Sequence, residues 1–165
     1  MITFTDEEMH YFMGECAYIA MQNAQYWPKV GAVVVKKGSV VGRGYSGHID
    51  GTRLPLHAER MALDDAGRQA KGAALFTTLE PCTKISQNQL LGSCCDYIAE
   101  QGIDTVVFGM LDEHSHGFCP GEGIAKLQSH GIYVVQYAKL NTLMEEKLSK
   151  PLTDRTVVRK WVNRR

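Results

Sequence analysis

Three metal-competent side chains, spread through the middle of the chain, restrict its fold more than any other feature. His57 stands in Leu56-His57-Ala58-Glu59, Cys82 in Thr77-Thr78-Leu79-Glu80-Pro81-Cys82, and a cysteine pair in Cys94-Cys95-Asp96. Zinc takes imidazole and thiolate ligands in a tetrahedral array, and three such ligands leave one position open. One imidazole and two thiolates also offset the charge of Zn2+. If the three share one ion, the segments that carry them must converge. Glu59, two residues past the histidine, then lies close enough to serve the open position without ligating.

Local patterns show how such convergence is built. Thr5-Asp6-Glu7-Glu8 reads as a helix start, with a capping residue and then acids at the positive end of the helix dipole. Met9, Phe12, Met13, Cys16, Ile19 and Ala20 follow at helical spacing, which predicts a helix over about residues 6–25, ended before Pro28. Val30 to Val35 and Val40 to Tyr45 read as a hairpin turning at Gly38. A polar loop from Ser46 to Pro55 precedes a helix over about 57–70, and Ala74 to Leu79 is a strand. Thr83 to Gly92 reads as a loop, Cys94 to Gln101 as a helix, Thr105 to Gly109 as a strand and Asp112 to Gly121 as a loop. Glu122 to His130 reads as a helix, Ile132 to Val135 as a strand and about 139–149 as a last helix.

The order α-β-β-α-β-α-β-α-β-α predicts an α/β fold, a three-layer α-β-α sandwich around a mixed five-stranded sheet. The first two strands should be antiparallel and the later, helix-connected ones parallel. Residues 1–165 read as a single domain with its core at about 6–149 and a basic tail over 150–165. In this arrangement Cys82 follows a strand, while His57 and the cysteine pair each open a helix. Helix N-termini favour thiolate over thiol. Pro81 fixes the backbone just ahead of Cys82. Cys94 and Cys95 sit on adjacent faces of their helix start, so one of them can face the ion, and spacing alone leaves open which.

Composition removes several classes. Formal net charge is zero, which gives no electrostatic case for a nucleic-acid partner of the whole molecule. The tail carries Arg155, Arg159, Lys160, Arg164 and Arg165 against Asp154, and reads as a solvated helix or subunit contact, with contact to a phosphate backbone the lesser reading. The odd count of five cysteines does not suit a secreted disulfide framework. The acidic start lacks a basic-then-apolar leader, and no apolar run approaches the roughly 20 residues that span a bilayer. A cytoplasmic protein without a membrane partner is expected. Cys16, in an apolar helical pattern, reads as core.

These motifs resemble the cytidine deaminase-like superfamily of zinc deaminases, over about residues 8–137. Pro28 to Val35 is similar to the first strand of the tRNA adenosine deaminases and of the riboflavin-pathway pyrimidine deaminases. Leu56 to Leu63 and Thr77 to Cys82 match the two metal motifs. Many members have Pro-Cys-x-x-Cys. Here the longer gap that ends in Cys94-Cys95-Asp96 resembles the deaminase domain of the bifunctional riboflavin-pathway enzyme, the diaminohydroxyphosphoribosylaminopyrimidine deaminase. Gly121-Glu122-Gly123-Ile124 and Leu127 to Ile132 resemble the end of that domain.

The resemblance implies a zinc-dependent hydrolytic deaminase, with Zn2+ held by His57, Cys82 and Cys94, and Glu59 as the catalytic proton shuttle. It implies a small heterocyclic substrate, an amino-pyrimidine or purine-like compound such as a riboflavin-pathway intermediate or a nucleoside. It also implies backbone contacts to the ring around Ala58 and Pro81, and a homo-oligomer. The other readings are a deaminase of a base in tRNA or single-stranded nucleic acid, and a zinc-stabilised binding protein without turnover.

The chain departs from the family pattern where substrate is read. Gln25-Tyr26-Trp27-Pro28-Lys29 stands in place of an Asn-Pro-Asn stretch, so Trp27 is a candidate for stacking on the ring. Gly44-Tyr45-Ser46 stands where nucleobase-reading members have Asn, so Ser46 is a candidate contact. His48 and Arg53, in the loop before His57, are candidates for a phosphate or acidic group on substrate. His114-Ser115-His116 and Cys119 read as a polar loop beside the site, with His114 a candidate substrate contact. A second metal cluster joined by Cys95 is the lesser reading of that loop.

Overall fold

The structure is a computed structural model that describes residues 1–22, 29–48, 55–83, 92–113 and 119–148. Helix α1 (Asp6–Ala20) starts with a capping box: Thr5 Oγ1 accepts from Glu8 N at 3.2 Å, and the Glu8 carboxylate accepts from Thr5 N at 2.8 Å. It ends at Ala20, short of the expected residue 25. Met21 N donates to Tyr18 O and Gln22 N to Ile19 O, tighter bonds that close the last turn.

Strands β1 (Gly31–Lys36) and β2 (Ser39–Tyr45) form the expected antiparallel hairpin. Two short strands, β3 (Gly47–His48) and β4 (Pro55–Leu56), pair with each other where a loop was expected. Helix α2 (Ala58–Ala66) runs into a 3-10 turn over Gly67–Ala70, and β5 (Ala74–Leu79) follows. Then come α3 (Cys94–Glu100), β6 (Thr105–Met110), α4 (Glu122–Ser129), β7 (Tyr133–Gln136), and α5 (Asn141–Leu148) after a 3-10 turn at Ala138–Leu140. No helix of the described residues is long and apolar enough to cross a membrane.

The main sheet has five strands in the order β2-β1-β5-β6-β7. β1 is antiparallel to both of its neighbours, and β5, β6 and β7 are mutually parallel. The three central strands are buried along nearly their whole length, as strands covered on both faces must be. Alternate side chains feed two cores. Val33, Val35, Phe76 and Val107 pack with α1 and α5 on one face. Val34, Leu75 and Val106 pack with α2, α3 and α4 on the other. This is the expected three-layer sandwich.

Glycine sets how closely the metal-bearing helix lies on the sheet. A Cβ placed on Gly44 of β2 would fall 2.2 Å from Ala58 O and 2.4 Å from Ala62 N. Only a residue without a side chain lets the α2 backbone rest directly on β2. That contact places His57 and Glu59 beside the C-terminal end of β5, the usual location of binding sites in open α/β sheets.

Candidate metal centre

Three segments meet at this end of the sheet. His57 is the N-cap residue of α2, with extended dihedrals and no capping hydrogen bond from its side chain. The imidazole instead faces two sulfurs. Nδ1 lies 3.6 Å from Cys82 Sγ and 3.2 Å from Cys94 Sγ. Cys82 follows β5 through Glu80-Pro81. Cys94 opens α3, whose N-cap Ser93 accepts from Asp96 N at 3.2 Å. The Cys94 amide donates to Cys82 Sγ at 3.3 Å. All three donor atoms lie within 4.8 Å of one another, and among the described residues this is the one such His/Cys/Asp/Glu cluster.

The donor set fits zinc. With Zn–S of about 2.3 Å and Zn–N of about 2.0 Å, a tetrahedral ion separates sulfur from nitrogen by about 3.5 Å. The observed 3.6 and 3.2 Å bracket that value.

The two sulfurs are shifted in opposite directions. The hydrogen bond from Cys94 is the largest influence on Cys82, and against its burial it brings that thiol down to about 4. Beside the resulting thiolate, and fully buried, Cys94 is held well above the ordinary thiol range. Burial pulls the His57 imidazole down. The hydrogen bond to Cys82 and the charges of Glu59 and Cys82 outweigh it, and the net shift is upward.

The fold separates the two adjacent cysteines. Cys95 Sγ points away from His57, toward Pro81 O at 3.3 Å and Gly123 O at 3.7 Å. Burial pushes its thiol up, so it stays protonated. Cys119, at the end of the loop whose residues 114–118 lie outside the described residues, is exposed.

Glu59, in the first turn of α2, is buried, with Oε2 3.8 Å from Cys94 Sγ. Burial pushes its carboxyl up to about 7, against the lowering influence of His57. Ala58 is fully buried and Pro81 is buried beside it. Ser46 is buried as well, and its Oγ accepts from Val30 N at 2.9 Å, clasping the start of β1. His48 is exposed on β3. Trp27, Arg53, His114 and His116 lie outside the described residues, as does the tail from residue 149.

One functional neighbour was not legible in the sequence. Arg60 is buried, and its guanidinium carbon sits 4.1 Å from the centre of the Tyr97 ring. Its Nη2 donates to Gly92 O at 2.8 Å, two residues ahead of Cys94. The Tyr97 hydroxyl in turn donates to Asp64 of α2. Arg60 therefore joins α2 to α3 and keeps a positive charge near the thiolates, favouring the charged form of Cys94. Its partners lie more than thirty residues away, and no local pattern announces them.

Known proteins share both the sequence and the fold. The sequence profile described as cytidine and deoxycytidylate deaminase zinc-binding region matches residues 6–110. The chain is 46% identical over 107 residues to the riboflavin biosynthesis protein RibD of Aquifex aeolicus, a match that covers 65% of this chain and 28% of that protein. It is 36% identical over 107 residues to the diaminohydroxyphosphoribosylamino-pyrimidine deaminase of Buchnera aphidicola subsp. Schizaphis graminum, covering 65% of this chain and 67% of that one. The structure of RibD from Acinetobacter baumannii superposes with a TM-score of 0.69 at 27% identity, over 84% of this chain and 37% of that one. The chain thus spans less than a third of the first of these relatives.

Proposed function

The chain belongs to the cytidine and deoxycytidylate deaminase zinc-binding family, and from that premise we propose that it is a zinc-dependent hydrolytic deaminase. Its substrate in this reading is a small amino-pyrimidine of the riboflavin-pathway type, and ammonia is released. The observation that carries the reading is the convergence of His57, Cys82 and Cys94 with the buried Glu59 carboxyl beside them. The relatives named for this activity supply the substrate class.

In this reading His57 Nδ1, Cys82 Sγ and Cys94 Sγ hold the ion. When bound, zinc supplies the Lewis acidity that makes water a nucleophile near neutral pH. Glu59 takes one proton from the attacking water and passes it to a ring nitrogen. It then takes the second proton from the hydroxyl added to the ring carbon and delivers it to the leaving amine, so that ammonia departs and a carbonyl remains. A carboxyl pushed up to about 7 by burial suits this exchange at neutral pH. Backbone groups around Ala58 and Pro81 orient the ring, and their burial keeps bulk water out. Ser46, Trp27, His48 and His114 are the further candidate substrate contacts in this reading. Residues 1–165 act as one deaminase domain, which assembles into a homo-oligomer.

The test is ammonia release across amino-pyrimidines, purines, their nucleosides and their phosphoribosyl derivatives. Glu59→Gln should keep its zinc and lose about 10²-fold to 10⁴-fold in turnover. Turnover by that variant near the wild-type rate overturns the assignment of Glu59. Zinc without ammonia from any of these compounds supports a non-catalytic binding protein. Activity confined to single-stranded nucleic acid, and lost steeply with added salt, supports the base-editing alternative.

A further inference from the structure

We propose that Glu80 is a positioning residue that locks the metal turn to helix α4 and to both stems of the loop between Asp112 and Gly121. The inference rests on the metal site proposed above. Glu80 joins β5 to Pro81-Cys82, and the residue is only 2% exposed. The main chain continues the sheet, with Glu80 N donating to Met110 O at 2.9 Å. The side chain turns the other way and accepts four backbone N–H bonds.

Oε1 accepts from Gly123 N at 2.8 Å and Ile124 N at 3.3 Å. These are two of the N-terminal amides of α4 that have no partner inside the helix. The N-cap residue of α4 is Gly121, which has no side chain to satisfy them. Glu80 therefore caps α4 from a different element, and its charge sits at the positive end of the helix dipole. Oε2 accepts from Gly121 N at 3.0 Å and Asp112 N at 3.4 Å. One oxygen thus ties together the residues that enter and leave the loop.

The same unit reaches the metal turn from its other side. Cys95 links Pro81 O to Gly123 O through its thiol, and its amide donates to Cys82 O at 3.1 Å. Thr83 Oγ1 donates to the Glu122 carboxylate at 3.3 Å, and Lys126 Nζ donates to Thr83 O at 3.4 Å. Helix α4 therefore holds the residues before and after Cys82. The contact is tight enough to require a missing side chain: a Cβ on Gly123 would lie 2.4 Å from Pro81 O and 3.0 Å from Glu80 Oε1. Glu80 touches no ligand atom, and its effect passes through the placement of Cys82 and the loop.

Two variants test this. Glu80→Gln keeps the size but removes the charge, and turns an N–H₂ group toward amide donors. Gly123→Ala wedges the same contact from the α4 side. Zinc transfer to a chromophoric chelator is followed at a temperature where circular dichroism shows the fold retained. Both variants should release zinc about 10-fold to 100-fold faster than the wild type, the usual scale for removing support from a metal ligand. Thr5→Ala, which removes the α1 cap on the opposite face, should lower stability and leave zinc release unchanged.

The coupling is also read in the unaltered protein. Because linkage between equilibria is reciprocal, stripping zinc should also favour the local opening that exposes the Gly123 and Ile124 amides, read as faster hydrogen exchange there. Wild-type release rates in the folded variants, or exchange at those two amides that is indifferent to zinc, overturns the inference and leaves the proposed function standing. A wild-type chain that holds no zinc overturns both.

Discussion

Replacing Gly44 by alanine isolates the contact that seats the metal-bearing helix. The added Cβ would lie 2.2 Å from Ala58 O and 2.4 Å from Ala62 N, where ordinary contact begins at 3.4 Å. Relief requires α2 and β2 to separate by about 1.2 Å, and both obstructing atoms are backbone, so no side-chain rotation provides it. Overpacking of this kind typically costs about 1–3 kcal/mol. For a chain of this length each kcal/mol lowers Tm by about 2–4 °C, so a drop of about 2–12 °C is expected. The functional loss should exceed the stability loss. His57 and Glu59 ride on α2, and a displacement near 1 Å of a reacting group is worth about 10²-fold in rate. Calorimetry gives the first quantity, and ammonia release with zinc content gives the second. A Gly44→Ala protein with unchanged Tm and activity would show that α2 is not seated by direct backbone contact with β2.

Other predictions follow from charges and protons near the site. With the Cys82 thiol lowered and the Cys94 thiol raised, zinc binding at pH 8 should release the Cys94 proton together with any that the raised His57 imidazole still carries, read by titration calorimetry in buffers of different ionisation heat. Zinc binding without proton release would contradict the raised Cys94 thiol. Arg60→Met should destabilise by about 1–3 kcal/mol through loss of the Gly92 bond and the Tyr97 stack, and Arg60→Lys should not restore it, because an ammonium does not reproduce the planar fork. Urea titrations of the two variants decide that. The hydrogen bond from Lys126 holds the Asp96 carboxyl below its ordinary range. The stability from this pair is therefore present above the unfolded carboxylate pKa and fades as pH falls through the lower folded value. The pair is partly exposed to solvent, which screens it, so under about 1 kcal/mol is expected. Lys126→Met should flatten the acid limb of stability against pH by no more than that, measured by urea unfolding between pH 3 and 7.

The parts of the molecule fixed by local pattern were legible in the sequence. The Thr5–Glu8 capping box, the β-branched hairpin and the alternation of helix and strand each follow from neighbours in the chain, and so did the three-layer order. The ends of α1 and α2 were set too late because the next breakers, Pro28 and Gly72, read as the stops, whereas α1 closes with a tight turn at Met21 and Gln22 and α2 passes into a 3-10 turn at Gly67. β3 and β4 are two residues each, too short to carry a period. That β1 lies between β2 and β5 was not readable, because pairing across forty residues leaves no local signal.

The site divides in the same way. His57, Glu59 and Cys82 announced themselves by residue type and spacing. Adjacency could not separate Cys94 from Cys95. The docking of α3 does so, turning one sulfur to His57 and the other to α4. Arg60 and Glu80 were visible as letters in the motifs, but their work lies in contacts to Gly92, Tyr97 and the start of α4 that only the folded chain creates.

Zinc content of four purified proteins tests the central claim most directly. The wild type and Cys95→Ser should each retain one zinc per chain after dialysis against a weak chelator, while Cys82→Ser and Cys94→Ser should retain little or none. Zinc kept by Cys94→Ser and lost by Cys95→Ser would contradict the account, as would a wild type that holds none.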